Sequence, residues 1–299
     1  MSTVQQGKAS HATAVHPMPL ADDLVLRDLA VQGAEAALPG RLYLAGAAAT
    51  KRETLVVFFH GGGFVGGTVD EADDFLSRLV SGDRSQVALS AGYTLASVKP
   101  FPAAVEDAHA ILLWARKNKA KLSWSGKRLV VAGIEAGANL AAVVALMSRD
   151  RGGPLLAGQV LIMPMLDPAL STCSMREVPV CRDKAAVADK VAGTCAAGYR
   201  GYLPNAADRS HPYASPLQSS RLKNLPPALI LSAEDDPLRD EAEQYGAKLI
   251  KCGITTTVRR LPPAPLEQPG GRNDCACIFA LTEIAAFIRG ADGNETPPA

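Results

Sequence analysis

Three groups of residues in this 299-residue chain have the types and spacing needed for chemistry at a carbonyl group. In the first, the apolar run Val130-Val131-Ala132 enters Gly133-Ile134-Glu135-Ala136-Gly137, and the small-residue stretch Ala138–Leu146 follows at once. Flanking glycines let a strand and a helix approach closely and accept strained dihedrals, so the central side chain projects over the sheet. This is the strand–turn–helix of a G-x-S-x-G nucleophile elbow. A serine at the centre attacks carbonyls, whereas the centre here is Glu135. Glutamate is longer, charged at neutral pH and a weak nucleophile.

The second group is His60-Gly61-Gly62-Gly63-Phe64, reached directly from the apolar run Leu55–Phe59. Bare glycine amides can point into a site without side-chain obstruction and stabilise a developing oxyanion. The third follows the apolar run Leu229–Ser232, where Glu234, Asp235, Asp236 and Asp240 set carboxylates just past a strand end. Between the first two groups along the chain, Gly92-Tyr93-Thr94-Leu95-Ala96 and Pro100–Ala108 complete the ordered set.

These segments together resemble the hormone-sensitive-lipase-like carboxylesterases of the α/β-hydrolase fold, over roughly residues 25 to 290 judged by motif order. The resemblance implies that Gly62, Gly63 and Ala136 donate oxyanion-hole amides, with His60 supporting the loop. It places Asp236 at the triad-acid position and Glu135 at the nucleophile position. Tyr93 and Pro102–Asp107 match the family's Y-R-L-A-P…P-A-x-x-D stretch, and Tyr213–Leu217 and Leu225–Ala228 resemble further family segments. The departures are equally specific. The family's G-D-S-A-G-G reads Gly133-Ile134-Glu135-Ala136-Gly137-Ala138, Thr94 replaces an Arg, and Ser97 a Pro. Leu266 falls, without gaps, where the base histidine is expected, and no histidine follows His211.

Losing the nucleophile or the base of a serine-hydrolase triad costs about a millionfold in rate. The sequence therefore points to a catalytically impaired pseudoenzyme that binds a small molecule or a partner. The alternative is an active carboxylic-ester hydrolase or lyase-like enzyme using unconventional residues such as Glu135. For Glu135 four roles stand open. Its carboxylate can fold onto the amides of Gly62, Gly63 and Ala136, where a helix N-terminus favours negative charge. Partial desolvation can raise its pKa and make it a general acid or base in a lyase-like or dehydratase-like step. The pocket can hold an amine or other cation, or the side chain simply faces solvent. Asp236, before Pro237 at a strand-to-helix junction, has a plain turn or capping role as its competing explanation.

No other residue offers an obvious rescue. His109 falls in the helical run Val105–Lys119, His211 precedes Pro212 in a connection, and His11 and His16 lie in the N-terminal stretch. The six cysteines, at 173, 181, 195, 252, 275 and 277, include no C-x-x-C pair. Cys275 and Cys277 open the final helix with no histidine nearby in sequence, so free thiols are expected and no metal or cofactor. With 31 basic and 30 acidic residues the chain has no field to steer nucleic acid. No segment approaches the roughly 20 apolar residues of a membrane span, and the N-terminus lacks a signal-peptide core, which makes cytoplasmic placement the default.

The elements that must position these residues alternate. Strands are expected at Val25–Val31, Arg41–Leu44, Leu55–Phe59, Gln86–Ser90, Arg128–Gly133, Gln159–Met163, Ala228–Ser232 and Thr256–Leu261. Helices are expected at Asp70–Val80, Ala103–Lys119, Ala136–Arg149, Leu238–Lys251 and Asp274–Ile288. This predicts an α/β fold, a mostly parallel central sheet with helices on both faces and a helical cap. Residues 1–24 read as an N-terminal cap or partly disordered segment, 25–290 as the α/β-hydrolase domain with a cap insertion at about 168–210, and 291–299 as a flexible tail. The expected partner is a small-molecule or acyl-type ligand in the capped pocket, and a homo-oligomer or a purely structural subunit is compatible with the same sequence.

Overall fold

The computed structural model describes residues 18–46, 51–176, 182–262 and 280–290. Leu266, Cys181, Cys275, Cys277, His11, His16, the 291–299 tail and the first residues of the expected last helix lie outside them.

Eight strands form one sheet: β1 (Leu24–Gln32), β2 (Ala37–Ala45), β3 (Arg52–Phe59), β4 (Gln86–Ala91), β5 (Trp124–Ile134), β6 (Gly158–Ile162), β7 (Ala228–Ala233) and β8 (Thr256–Leu261). Their lateral order is β1-β2-β4-β3-β5-β6-β7-β8. β1 and β2 make an antiparallel hairpin, β2 runs antiparallel to β4, and all the remaining pairings are parallel. β2 is longer than its sequence signal because Pro39 and Gly40, which normally demote a strand, pair with Ala30 and Leu29 of β1.

The helices are α1 (Asp73–Gly82), α2 (Ala103–Lys117), α3 (Ala136–Asp150), α4 (Cys173–Arg176), α5 (Arg182–Tyr202), α6 (Arg239–Lys251) and α7 (Leu281–Gly290). The helix expected from Asp70 is divided, a 3₁₀ turn at Val69–Ala72 leading into α1.

Strand periodicity divides the core. On β3, Leu55, Val57 and Phe59 enter one cluster with residues of α2, α3 and α6. Val56 and Phe58 enter the other, with Phe75, Leu76 and Leu79 of α1 and Ile284 and Ile288 of α7. Both faces of the central strands are covered, which is why they read as unbroken apolar runs. α3 lies deepest, with every residue from Ala136 to Ser148 buried. Its Ala- and Gly-rich start brings its backbone against the sheet where a bulkier helix could not fit. Among the described residues, no helix is long and apolar enough to cross a membrane.

Candidate active site

Because β3, β5, β6 and β7 are parallel, their carboxyl ends share one edge, and ligands of such sheets bind beyond that edge. The His60 loop leaves β3 there, Glu135 leaves β5, and Asp236 follows β7. β5 and β7 are separated only by β6, so Glu135 and Asp236 start from strands about 10 Å apart.

Glu135 is the N-cap of α3, with φ 50° and ψ −113°. This is backbone that side chains with a β-carbon resist. The turn is clamped on both sides: the Glu135 amide donates to Ile162 O at 3.0 Å, and Glu135 O accepts from Asn139 N and Met165 N, each at 3.1 Å. Gly137 is compulsory, since a β-carbon there would lie 2.0 Å from Phe59 O and 2.4 Å from His60 O. The half-buried Glu135 side chain turns toward the glycine loop, and Gly62 N donates to its Oε2 at 3.2 Å. Its charge also adds to the burial that pushes the Tyr93 phenol well above its ordinary pKa.

The glycine loop has its own scaffold. Gly62 and Gly63 take φ of 91° and 60°. The buried His60 ring stacks on Tyr93, with centroids 4.4 Å apart, and its Nδ1 lies 2.9 Å from Gly61 O. Tyr93 Oη donates to both His60 O and Gly61 O at 3.1 Å. Burial, the dominant cause, lowers the His60 pKa and keeps the ring neutral. Below the loop, Asp107 ties Ala34 N and Thr94 N together at 2.8 and 2.9 Å. Ala136 is the first residue of α3, among the helix-start amides that have no intrahelical acceptor.

Asp236 is 3% exposed, and its Oδ1 accepts from Leu238 N at 2.9 Å while its carbonyl takes Arg239 N at 3.0 Å. It builds the turn into α6. His211 packs its ring against Phe101 and Tyr213 and accepts Tyr213 N at its own Nδ1. Among the described residues no group of three His, Cys, Asp or Glu is placed to hold a metal ion.

The comparisons with known proteins agree with this fold. A family model described as the alpha/beta hydrolase fold matches residues 56–265. The chain is 33% identical over 232 residues to an arylesterase of Saccharolobus solfataricus, covering 77% of this chain and 72% of that protein. The chain belongs to the α/β-hydrolases. Among them it sits with the hormone-sensitive-lipase-like carboxylesterases. Esterase LipI of Mycobacterium tuberculosis is 33% identical over 246 residues, covering 80% of this chain and 73% of its own length. The solved hyperthermophilic esterase of the archaeon Pyrobaculum calidifontis superposes with a TM-score of 0.78 at 34% identity, covering 90% of this chain and 84% of its own.

Several residues of this α/β-hydrolase site carried no signal in the motif pattern. α5 lies directly on the glycine loop: a β-carbon on Gly198 would meet Gly63 O at 2.3 Å. Phe64, next to Gly63, stacks on Tyr202 with centroids 3.9 Å apart and planes 6° apart, and tilts against Tyr199 at 5.7 Å. Phe101 N donates to Tyr202 O at 3.0 Å. The Tyr199-x-x-Tyr202 spacing, one helical turn inside a small-residue helix, was the only available clue. Asn139 on α3 donates to Met165 O and Ala214 O at 2.7 and 3.2 Å, fixing the segment after β6. Glu241 is fully buried on α6 and accepts Leu166 N at 3.0 Å.

Proposed function

We propose that the protein binds carboxylic esters under its cap and hydrolyses them with Glu135 as a general base, a non-serine version of the activity named for its relatives. The observation that carries this reading is the Glu135 carboxylate at the elbow apex, hydrogen-bonded to Gly62 N beside the other glycine-loop amides. In this scheme a water gives its proton to Glu135 as its oxygen attacks the ester carbonyl carbon. The carbonyl oxygen takes the electron pair and is held by the amides of Gly63 and Ala136. Collapse expels the alcohol oxygen, which recovers the proton from Glu135, so ester and water become acid and alcohol. With Leu266 read at the expected base position, no imidazolium is assigned, and the leaving oxygen depends on protonated Glu135 alone, which it reaches after the bond has broken. Aryl esters, whose leaving groups depart as phenolates, are therefore the favoured substrates.

A second reading, an acyl-ligand binder without turnover, is favoured by the same contact seen from the other side. Glu135 Oε2 takes an amide that a bound carbonyl oxygen would need. Hydrolysis of p-nitrophenyl acetate by the native protein and by Glu135→Ala separates the two. General-base action predicts turnover above the buffer rate that falls about 100-fold or more in Glu135→Ala. Absence of turnover in the native chain, with activity gained in a Glu135→Ser/Leu266→His double variant, would sink the catalytic reading and leave the binding one.

A further inference from the structure

Nothing described so far uses the basic stretch that follows α2. The helix ends at Lys117, and a compact loop returns the chain to β5, closed by Leu122 N on Asn118 O at 3.1 Å and Trp124 N on Lys119 O at 2.9 Å. Lys119 and Lys121 sit on this loop, and the last turn of α2 adds Arg116 and Lys117. β1 contributes Arg27, whose guanidinium donates to Lys121 O. All five residues are exposed, and none has a carboxylate partner among the described residues.

The polar contacts these cations make go to carbonyls, Arg116 to Gly126 O at 2.6 Å and Lys121 to Ala30 O at 3.4 Å. Carboxylates on the adjoining elements are already engaged: Glu53 pairs with Lys127, Asp28 with Arg41 and Glu106 with Arg151. A chain of net charge +1 therefore carries a local surplus of positive charge at one end. Apolar side chains are interleaved with it. Lys117 lies one helical turn after Leu113, which is 39% exposed, and beside the half-buried Trp114. Val25, 45% exposed, precedes Arg27 by two residues and shares its face of β1.

The chemistry of this patch limits its partner. Single-stranded nucleic acid stacks its bases on open aromatic faces. Here Trp114 packs against the core and carries Lys121 Nζ 5.3 Å over its ring, while the buried Trp124 lies under Arg116 at 5.9 Å. The rings are taken by core and cations and are not presented to bases. Cations with long apolar stems, mixed with exposed aliphatic side chains and a tryptophan edge, match the boundary between lipid headgroups and acyl chains.

We propose that this end of the molecule docks on an anionic membrane surface, the five cations facing lipid phosphates and carboxylates while Leu113, Trp114 and Val25 enter the headgroup layer. The patch lies at the amino ends of the strands, where β5 begins at Trp124. Glu135 leaves the other end of β5, about 33 Å away along the strand. Docking in this pose holds the protein on the surface with its elbow turned to the aqueous side, and it is independent of whether Glu135 is catalytic.

The test is co-sedimentation of the full chain with vesicles of phosphatidylcholine alone and with about 30% phosphatidylserine, following tryptophan emission. Binding is expected only to the serine-containing vesicles, weakened by added salt, with Trp114 emission moving to shorter wavelength as its surroundings dry. Trp124, the second of two tryptophans, is already buried and should not respond. A cation near an anionic surface is worth about fivefold in affinity, so Lys117→Gln/Lys119→Gln should weaken binding about tenfold or more. Leu113→Ser should weaken it with the salt dependence unchanged. Equal affinity for both vesicles, no binding to either, or binding that the double variant leaves intact would overturn the proposal. Retention by single-stranded RNA or polyglutamate, with none by vesicles, would give the patch a different partner and overturn it too. If the variants fail to fold, the native protein on the two kinds of vesicle decides.

Discussion

At φ 50° and ψ −113°, Glu135 holds a conformation that costs a residue with a β-carbon about 1–3 kcal/mol. The turn persists because Ile162 O, Asn139 N and Met165 N hold its backbone, and because Gly137 lets α3 press against the end of β3. The strain belongs to the backbone and not to the carboxylate, so substitutions separate the two. Glu135→Ala keeps the strain and loses the carboxylate, whereas Glu135→Gly loses both. Urea unfolding is expected to find the glycine variant about 1 kcal/mol more stable than the alanine variant, after allowing for glycine's larger unfolded-state entropy. Equal stability, or alanine ahead, would mean the turn is not strained. The elbow and glycine loop were legible in the sequence because glycine requirements are local. The contact between Glu135 and Gly62 was only one of four open roles, since the direction of a side chain depends on everything packed around it.

Elements differed in how much they declared themselves. β3, β5, β6 and β7 read correctly because burial on both faces leaves a continuous apolar run, while Pro39 and Gly40 hid the first half of β2. α5 was read only as part of a cap insertion. Its Ala- and Gly-rich sequence has no clear apolar stripe, because backbone rather than side chains makes its closest contact. Two glycines on this helix give opposite expectations for one substitution. A β-carbon on Gly193 meets nothing within 4 Å, so Gly193→Ala should stabilise by about 0.5–1 kcal/mol through helix propensity. Gly198→Ala collides with Gly63 O and should cost about 1–3 kcal/mol, with faster proteolysis around α5. Matching effects at the two positions would contradict the close approach. Tyr202 offers a further check, since its Oη is buried without a partner among the described residues. Tyr202→Phe keeps the stack on Phe64 and should leave the thermal midpoint unchanged or higher.

For the whole molecule, stability against pH integrates groups that no motif revealed. Burial, reinforced by the charges of Asp167 and Asp236, raises the Glu241 pKa well above the ordinary 4.5. The folded state therefore holds a proton that the unfolded chain releases above pH 4.5, and Glu241 makes stability fall as pH rises from there. His60 and His109, lowered from 6.5 by burial, act in the opposite sense and cost stability as pH falls below 6.5. Above pH 6.5 only the Glu241 contribution remains of these three. Urea unfolding at pH 7 and pH 9 should show native stability declining and Glu241→Gln flatter, and parallel slopes would rule out a protonated Glu241. The seating of α5 on the glycine loop reaches further than stability. α5 and the glycine loop share a wall one backbone thick, through Gly198 on Gly63 and Tyr202 on Phe64. A lineage that alters α5 along this stretch must therefore redraw the glycine loop in the same step. Exchanging α5 between relatives without also exchanging the loop would leave the two faces of that wall mismatched.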